Sequence, residues 1–265
     1  MNGIAAEARH MIGRMKASMT ARRAIVLAAG KGSRMDSDLP KVLAMAQGKT
    51  LLEHVLDALS QAGVSLSLVV VGYQAERVKE QLHDRHDMTF VLQKEQRGTG
   101  HAVQVCETEL IHIKGPVLVV AGDSPMIQSE TIEEMFEYYL EHHPACIIGT
   151  LQVPNPEGLG RIVRDTQGDF QAIVEQKDAT ADQRAIKEVN MSTYLFDACQ
   201  LRSALSRLET ENSQSEYYLT DCPGILKADG HDVTALDILK PCEGLSVNTP
   251  EQLQKVEAVM KRMGY

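Results

Sequence analysis

Short apolar runs alternate with amphipathic stretches along the first part of the chain. Four runs rich in Val, Ile and Leu are typical of strands buried on both faces: residues 24–29, 66–72, 88–92 and 117–121. Four amphipathic stretches are typical of helices: residues 51–62, 76–83, 100–110 and 131–142. Thr131 and Glu134 form a capping-box pattern at the start of the last stretch. This alternation predicts an α/β fold, Rossmann-like, with a mainly parallel sheet flanked by helices.

The pattern changes after about residue 149. Residues 160–165 and 170–175 flank the turn sequence Thr-Gln-Gly-Asp, which predicts a β-hairpin. The remaining pattern predicts strands at 189–196 and 233–238 and helices at 199–209, 216–229 and from about residue 250. We expect the hairpin to form a substrate-facing lobe added to the same sheet.

The charge of the chain is unevenly distributed. The 265 residues carry a net charge of −9, which argues against a general nucleic-acid-binding surface. Residues 1–50 nevertheless contain nine Lys or Arg and three Asp or Glu. This basic segment suggests that an anionic ligand binds near the N-terminal end.

The cysteines and the apolar runs indicate a cytoplasmic protein. Five scattered cysteines without a C-x-x-C pair fit a reducing compartment and buried thiols. No apolar run reaches the length of a membrane span, and residues 1–20 show no secretion signal. We expect residues 1–22 to be an N-terminal extension and residues 23–265 to form the functional domain.

A glycine-containing basic loop follows the first predicted strand. Ala29 and Gly30 allow close approach of a ligand to the backbone, and Lys31, Arg34 and Lys41 add positive charge. This combination suits a phosphate chain, although it matches neither the dinucleotide-binding fingerprint nor a Walker A loop. The alternative is a surface turn with solvated basic residues.

Two further segments follow predicted strands. After the third strand, Gln93 could read a base edge, and the turn at Gly98 and Thr99 could offer main-chain donors; the alternative is an ordinary helix start. After the fourth strand, Asp123 stands between Gly122 and Ser124, where a carboxylate could hold a divalent cation or cap a turn. Ligands of parallel sheets bind beyond the carboxyl ends of the strands, so we expect these segments to meet.

The motifs together resemble a known family. LAAGKGSRM at 27–35 and LPK at 39–41 resemble the signature of sugar-1-phosphate nucleotidyltransferases. Further motifs follow in order: QKEQRGTGH at 93–101, GDSP at 122–125, GLGRIVR at 158–164, IVEQKDA at 173–179 and EYYLTD at 216–221. From about residue 24 onward the chain is similar to the uridyltransferase domain of bacterial bifunctional N-acetylglucosamine-1-phosphate uridyltransferase/glucosamine-1-phosphate acetyltransferases.

This resemblance implies a nucleotide-diphospho-sugar transferase fold and a Mg²⁺-dependent reaction. UTP and a sugar-1-phosphate, most simply N-acetylglucosamine-1-phosphate, would give a UDP-sugar and pyrophosphate. The family carries its acetyltransferase on a C-terminal left-handed β-helix of hexapeptide repeats, which this sequence lacks. Acetyl transfer is therefore not expected of this chain, and no nucleic acid, membrane or protein partner is implied.

The resemblance also assigns roles to individual residues. The residues expected at the phosphates are Arg34 and Lys41. The residues expected to bind the nucleotide are Ala29, Gly30, Gln93, Gly98 and Thr99. The residues expected to contact the sugar are Gly160, Glu175 and Asn190, and those expected to bind Mg²⁺ are Asp123 and Asn248.

Two departures from the family pattern bear on which sugar is bound. Ala121 replaces a usual Tyr before the Gly-Asp of the metal strand, and Asn190-Met191-Ser192 replaces Asn-Thr-Gly at the sugar contact. We expect the exchanges at 191 and 192 to reshape the wall near the sugar without touching the nucleotide side. Two alternatives stay open: a nucleotidyltransferase for another sugar-1-phosphate or acceptor, and a non-catalytic protein that binds nucleotide sugars.

Overall fold

The computed structural model of the chain describes residues 21–32, 35 and 38–265. The expected extension, residues 1–22, lies outside the described residues except for its last two, and the first strand begins at Arg22. Within the described ranges, no helix combines the length and apolar character needed to cross a membrane.

Strands and helices alternate through the first half of the chain. The strands are β1 Arg22–Ala28, β2 Met45–Ala46, β3 Lys49–Thr50, β4 Val64–Val71, β5 Met88–Leu92, β6 Pro116–Ala121, β7 Cys146–Gln152, β8 Gly160–Arg164, β9 Phe170–Val174, β10 Glu188–Asp197 and β11 Val233–Leu236. The helices are α1 Leu51–Gln61, α2 Ala75–Gln81, α3 Thr99–Gln104, α4 Glu107–Leu110, α5 Ser129–His142, α6 Ala181–Arg184, α7 Ala198–Leu205, α8 Asp221–Ala228 and α9 Pro250–Met263, with 3-10 turns at Lys41–Leu43 and Pro241–Gly244.

Nine of the described strands form one mixed sheet. Seven of them lie in the order β11-β7-β10-β6-β1-β4-β5, and the hairpin β8–β9 joins the sheet through β10. The pairs from β6 to β5 are all parallel, whereas β10 runs antiparallel to both of its neighbours in that order. The mainly parallel α/β fold and the added hairpin predicted from the sequence are confirmed.

Both faces of the sheet are covered by apolar side chains. Along β1, Ile25 packs into the cluster on one face, while Ala24 and Val26 pack into the cluster on the other. Leu201 and Leu226 of α7 and α8 belong to the first cluster. Burial on both faces explains why the strands read as continuous apolar runs instead of alternating polar and apolar residues.

Three expectations about elements are corrected by the structure. The strand β7 was not predicted. The stretch 100–110, predicted as one helix, forms the two short helices α3 and α4 with a turn at residues 105–106 between them. Helix α5 begins at Ser129 without a side-chain cap, and the Thr131 hydroxyl donates to Glu243 at 2.8 Å instead.

The cysteines follow the expected pattern only in part. All five lie in the described residues and none forms a disulfide. Cys106, Cys146 and Cys222 are buried, whereas Cys199 is exposed, so the expectation of buried thiols is wrong for Cys199.

Candidate active site

A cleft of about 340 Å³ opens at the carboxyl ends of β1, β5 and β6. Residues from several segments that are distant in sequence line it together. The residues singled out from the sequence that line this cleft are Ala29, Gly30, Lys41, Gln93, Gly98, Thr99 and Asp123. The parallel pairing of these strands brings their carboxyl ends to one edge, which is where open α/β sheets bind ligands.

The backbone after β1 is packed on one side and open on the other. The Ala29 carbonyl accepts a hydrogen bond from the Tyr73 N–H at 3.0 Å, which ties the loop to the end of β4. A Cβ added to Gly72 would lie 2.9 Å from the same carbonyl oxygen, so only glycine fits there. Gly30 is exposed, and a Cβ added to it would meet no heavy atom within 4 Å. A ligand can therefore approach the main chain directly at Gly30.

The Lys41 ammonium lies between two oxygen-bearing side chains. It forms an ion pair with the Asp123 carboxylate and donates a hydrogen bond to Asn248 Oδ1 at 2.8 Å. The side chains of Lys41 and Asp123 are only 15% and 18% exposed. The N–H of Val247 donates to the Asp123 carbonyl at 3.2 Å, which holds the segment containing Asn248 against the end of β6.

Asp123 and Asn248 are suited to a magnesium ion on the chemistry of their donor atoms. Their oxygens converge on a single cation, the ammonium of Lys41. One carboxylate and one amide oxygen suffice for Mg²⁺ when phosphate oxygens and waters supply the other positions. No group of three or more His, Cys, Asp or Glu in the described part of the chain could hold a metal by itself. An ion at this pair would thus bind weakly when only waters complete its coordination, and more tightly when a bound phosphate does.

Gln93 is held with its amide oxygen available. The side chain is 2% exposed, and its Nε2 donates to the Gly98 carbonyl at 3.2 Å and contacts His101 Nδ1 at 3.0 Å. These two contacts use both N–H groups, since His101 Nδ1 then acts as an acceptor. Gln93 lines the cleft, and with both N–H groups engaged the amide offers its oxygen as an acceptor, which suits an N–H on a base edge.

The turn at Gly98 and Thr99 is fixed by a segment far along the chain. Gly98 has φ +109°, and the N–H of Gly100, two residues further on, donates to the Tyr217 carbonyl at 2.8 Å. The Thr99 hydroxyl accepts a hydrogen bond from the Leu219 N–H at 3.1 Å. These contacts leave the hydroxyl hydrogen of Thr99 able to donate into the cleft that the residue lines.

The three residues expected to contact a sugar lie together on the hairpin side of the sheet. Gly160 of β8 pairs directly with Asn190 of β10. A Cβ added to Gly160 would lie 3.5 Å from Asn190 Cβ and 3.7 Å from Glu175 Oε1. Asn190 is buried, and its Nδ2 donates to the Tyr194 hydroxyl at 2.6 Å.

Glu175 faces an acidic opening that is separate from the main cleft. This opening of about 260 Å³ is also lined by Asp178 and Asp221. Burial raises the pKa of Glu175, and the nearby carboxylates of Asp178 and Asp221 add to that rise, while the Thr220 hydroxyl opposes it. Burial likewise raises the pKa of Asp221.

Three other polar residues of the main cleft were not assigned a role from the sequence. Glu216 begins the motif at 216–221 and lines the cleft, and the Gln96 amide donates to the Gln93 carbonyl at 3.0 Å. Ser192 also lines this cleft. The departure at Met191-Ser192 therefore reaches the side that holds Gln93 and Gly98, contrary to our expectation. In the sequence, the position of Ser192 was marked by a serine where the family pattern has a glycine.

Arg34, expected at the phosphates, lies outside the described residues. Its expected role stays a prediction, as do the roles of the residues that the structure brings together. Gly32, two residues before Arg34, has φ +67°, and a Cβ added to it would collide with the side chain of Lys41.

Comparison with known proteins links this chain to nucleotidyltransferases. A family model for the MobA-like NTP transferase domain matches residues 24–214. The chain is 45% identical over 243 residues to the bifunctional protein GlmU of Limosilactobacillus reuteri, covering 92% of this chain and 53% of that protein. It is 44% identical over 239 residues to the bifunctional protein GlmU of Streptococcus mutans, covering 90% and 52%. The chain thus spans about half the length of these relatives.

Solved structures share the fold at low sequence identity. A UDP-glucose pyrophosphorylase complexed with UDP-glucose superposes with a TM-score of 0.76 at 17% identity, covering 92% of this chain and 99% of the other. An apo UDP-glucose pyrophosphorylase gives a TM-score of 0.74, also at 17% identity, with 92% and 100% coverage. These matches confirm the predicted fold type.

Proposed function

Because this chain belongs to the MobA-like NTP transferase domain family of nucleotidyltransferases, we propose that it is a Mg²⁺-dependent uridyltransferase. The proposed substrates are UTP and N-acetylglucosamine-1-phosphate, and the products are UDP-N-acetylglucosamine and pyrophosphate. The identity of 45% to a GlmU protein supports this choice of substrates. The observation that carries the proposal is the single cleft shared by Gly30, Lys41, Gln93 and Asp123.

The proposed reaction is an in-line displacement at phosphorus. A phosphate oxygen of the sugar-1-phosphate forms a bond to the α-phosphorus of UTP, and the bond from that phosphorus to the bridging oxygen breaks, so that pyrophosphate leaves. The protein contributes little covalent chemistry to such a step, so positioning and neutralisation of charge carry most of the rate. The open backbone at Gly30 and the ammonium of Lys41 serve these two tasks.

Asp123 and Asn248 would hold the magnesium ion, as their converging oxygens suggest. When bound, the ion neutralises phosphate charge and orients the phosphate oxygens. Lys41 would then have to release these two side chains, and its ammonium would be available to the phosphates. Before the substrate binds, Lys41 thus pairs with the Asp123 carboxylate and donates a hydrogen bond to Asn248.

Base recognition is proposed for the main cleft, and sugar recognition for the hairpin side of the sheet. Gln93 Oε1 accepts a hydrogen bond from the N3–H of uracil, and the rigid turn at Gly98 supports it. Gly160, Glu175 and Asn190 contact the sugar; the absence of a side chain at Gly160 leaves room beside the Glu175 carboxylate. The unpaired cysteines support a cytoplasmic setting for the reaction.

A pyrophosphate-release assay tests the proposal. The full chain is given UTP or CTP together with a panel of sugar-1-phosphates, with Mg²⁺ and with a chelator. We expect the highest kcat/KM for UTP with N-acetylglucosamine-1-phosphate and loss of turnover with the chelator. Turnover restricted to another sugar-1-phosphate would correct the acceptor, and folded protein without turnover for any pair would contradict the proposed function.

A further inference from the structure

Ser192 has an unusual backbone conformation within the candidate active site. Its φ is +55°, in the left-handed region that residues with a Cβ rarely adopt. It lies in β10 where the pairing with β7 shifts its register, between Asn190 and Tyr194. Strained residues of this kind cluster at ligand sites, where the surrounding structure holds them in place.

Local hydrogen bonds hold Ser192 in this conformation. Its N–H donates to Asn190 Oδ1 at 3.1 Å, and Asn190 Nδ2 in turn donates to the Tyr194 hydroxyl at 2.6 Å. Tyr194 is 1% exposed and packs in the core, so this chain of contacts is anchored in a rigid part of the sheet. The backbone of Ser192 is therefore fixed by contacts that do not involve its hydroxyl.

The hydroxyl of Ser192 is available to a ligand. The residue is half-buried and lines the main cleft together with Lys41 and Asp123. Among the described residues, none forms a hydrogen bond with this hydroxyl. A serine hydroxyl can both donate and accept, and at the wall of a cleft its natural partner is a polar group of whatever the cleft binds.

Ser192 stands between the two halves of the proposed site. It shares the cleft with Lys41 and Asp123, which are proposed to face phosphate and metal, and it follows two residues after Asn190, which is proposed to face the sugar. In a sugar-1-phosphate, the group that joins these two regions is the 1-phosphate itself. Because a phosphate oxygen is a charged acceptor, a serine O–H is a suitable donor to it.

We propose that the Ser192 hydroxyl donates a hydrogen bond to the phosphate of the acceptor substrate and is thus a binding residue for that substrate. The proposal rests on the proposed function, because it takes the acceptor to be a sugar-1-phosphate. Ser192 lines the cleft in this left-handed conformation, on a strand whose other residues up to Phe196 are buried.

Two variants separate the hydroxyl from the backbone conformation. Ser192→Ala removes the hydroxyl and keeps the Cβ, and Ser192→Gly removes both and suits the positive φ. We expect both to raise the KM for N-acetylglucosamine-1-phosphate about tenfold, the loss typical of a hydrogen bond to a charged group. The KM for UTP should stay within about twofold, and Ser192→Gly should not lower the melting temperature.

Ser215→Gly is the matched control. Ser215 has nearly the same conformation, with φ +52°, but it is exposed and does not line the main cleft. We expect this variant to keep the wild-type KM for both substrates. Inhibition by free N-acetylglucosamine provides a second readout, because the proposed contact to phosphate predicts an unchanged inhibition constant in Ser192→Ala.

Three results would overturn the assignment of Ser192. These are a wild-type KM for the acceptor in both Ser192 variants, a rise confined to the KM for UTP, and weakened inhibition by the free sugar. In each of these cases turnover by the wild-type chain leaves the proposed function intact. A wild-type chain that releases no pyrophosphate with any acceptor overturns the proposed function and, with it, this assignment.

Discussion

The Lys41 ammonium joins two side chains of the candidate active site that come from distant parts of the sequence. Lys41 Nζ contacts Asp123 and donates to Asn248, which is 207 positions away in the sequence. Asp123 and Asn248 are both partly shielded from water, so a cation between them offsets the cost of holding the carboxylate there. Lys41 and a divalent cation would compete for the same oxygens.

This competition predicts the behaviour of Lys41→Met. The variant keeps the volume of the side chain and removes its charge, so the transfer rate should fall about a hundredfold. At the same time, binding of Mn²⁺ without nucleotide should become tighter, because Asp123 and Asn248 no longer hold an ammonium. Electron paramagnetic resonance of free Mn²⁺ measures this affinity.

Lys31→Met is the control for the charge effect. Lys31 is exposed and lies over the ring of Tyr73, with 5.4 Å between its Nζ and the ring centroid. This variant should leave the affinity for Mn²⁺ unchanged. If Lys41→Met also left it unchanged or weakened it, the competition would be disproved.

The acidic opening predicts a dependence of stability on pH. Burial raises the folded-state pKa of Glu175 above its unfolded value of about 4.3. Its ionised form therefore destabilises the fold; this penalty is absent below the unfolded pKa and grows as the pH rises through the folded pKa. Glu175→Gln should raise the melting temperature by about 2 °C at pH 8 and have no effect near pH 4.

Melting curves recorded from pH 4 to pH 8 show whether Glu175→Gln raises or lowers the melting temperature. Glu76→Gln is the control, because Glu76 is 85% exposed and forms only a surface ion pair with Lys79. A Glu175→Gln variant that is less stable than the wild type at pH 8 would mean that the charge is stabilised in the fold, contrary to our account. The expected sign also implies that Glu175 is kept for a purpose other than stability.

Turns between elements hold the nucleotide side of the cleft in shape. A Cβ added to Gly98 would collide with the backbone carbonyl of Tyr217, and φ at Gly98 is +109°. Gly98→Ala should therefore lower the free energy of unfolding by about 3 kcal/mol, since both the backbone strain and the clash oppose it. Urea unfolding measures the loss.

Gly48→Ala measures the cost of the backbone strain without a steric clash of the added Cβ. Gly48 has φ +83°, but a Cβ there would meet nothing within 4 Å. We expect a loss of only about 1 kcal/mol, from the backbone conformation alone. Equal losses at Gly48 and Gly98 would show that the contact with Tyr217 does not fix the turn.

The sequence predicted elements well where periodicity alone decides them. The apolar runs identified β1, β4, β5 and β6 to within two or three residues. The sequence did not predict β7, because Gly149 interrupts its apolar run and glycine weakens a strand pattern. Capping boxes lie at Thr50 and Glu53 and at Thr180 and Gln183, but not at Thr131, whose hydroxyl donates to a residue far along the chain.

The sequence predicted where the candidate active site lies, but not the contacts between its side chains. The order of strands and glycines indicates that segments after β1, β5 and β6 meet, because parallel strands end at one edge. The position of the Lys41 ammonium and the left-handed Ser192 depend on packing between distant segments, which no local pattern encodes. Separation of Glu175 from the main cleft likewise follows from how β8 and β9 attach to β10.

At the scale of the whole molecule, one sheet carries both sides of the proposed site. The strand β10 pairs with β6, which leads to Asp123, and it also contains Asn190 and Ser192. The hairpin that contributes Gly160 is attached to the same strand. Substrates bound on the two sides would thus be positioned by a common rigid framework, as a displacement between them requires.

Whether Asp123 and Lys41 act together on the phosphates is tested most directly by comparing turnover with UTP affinity in Asp123→Ala. Asp84→Ala, at a side chain that is 90% exposed, is the control. We predict that Asp123→Ala lowers kcat for pyrophosphate release about a thousandfold while the Kd for UTP rises less than tenfold. Retention of turnover near the wild-type rate would contradict the claim that Asp123 and Lys41 act on the phosphates in one cleft.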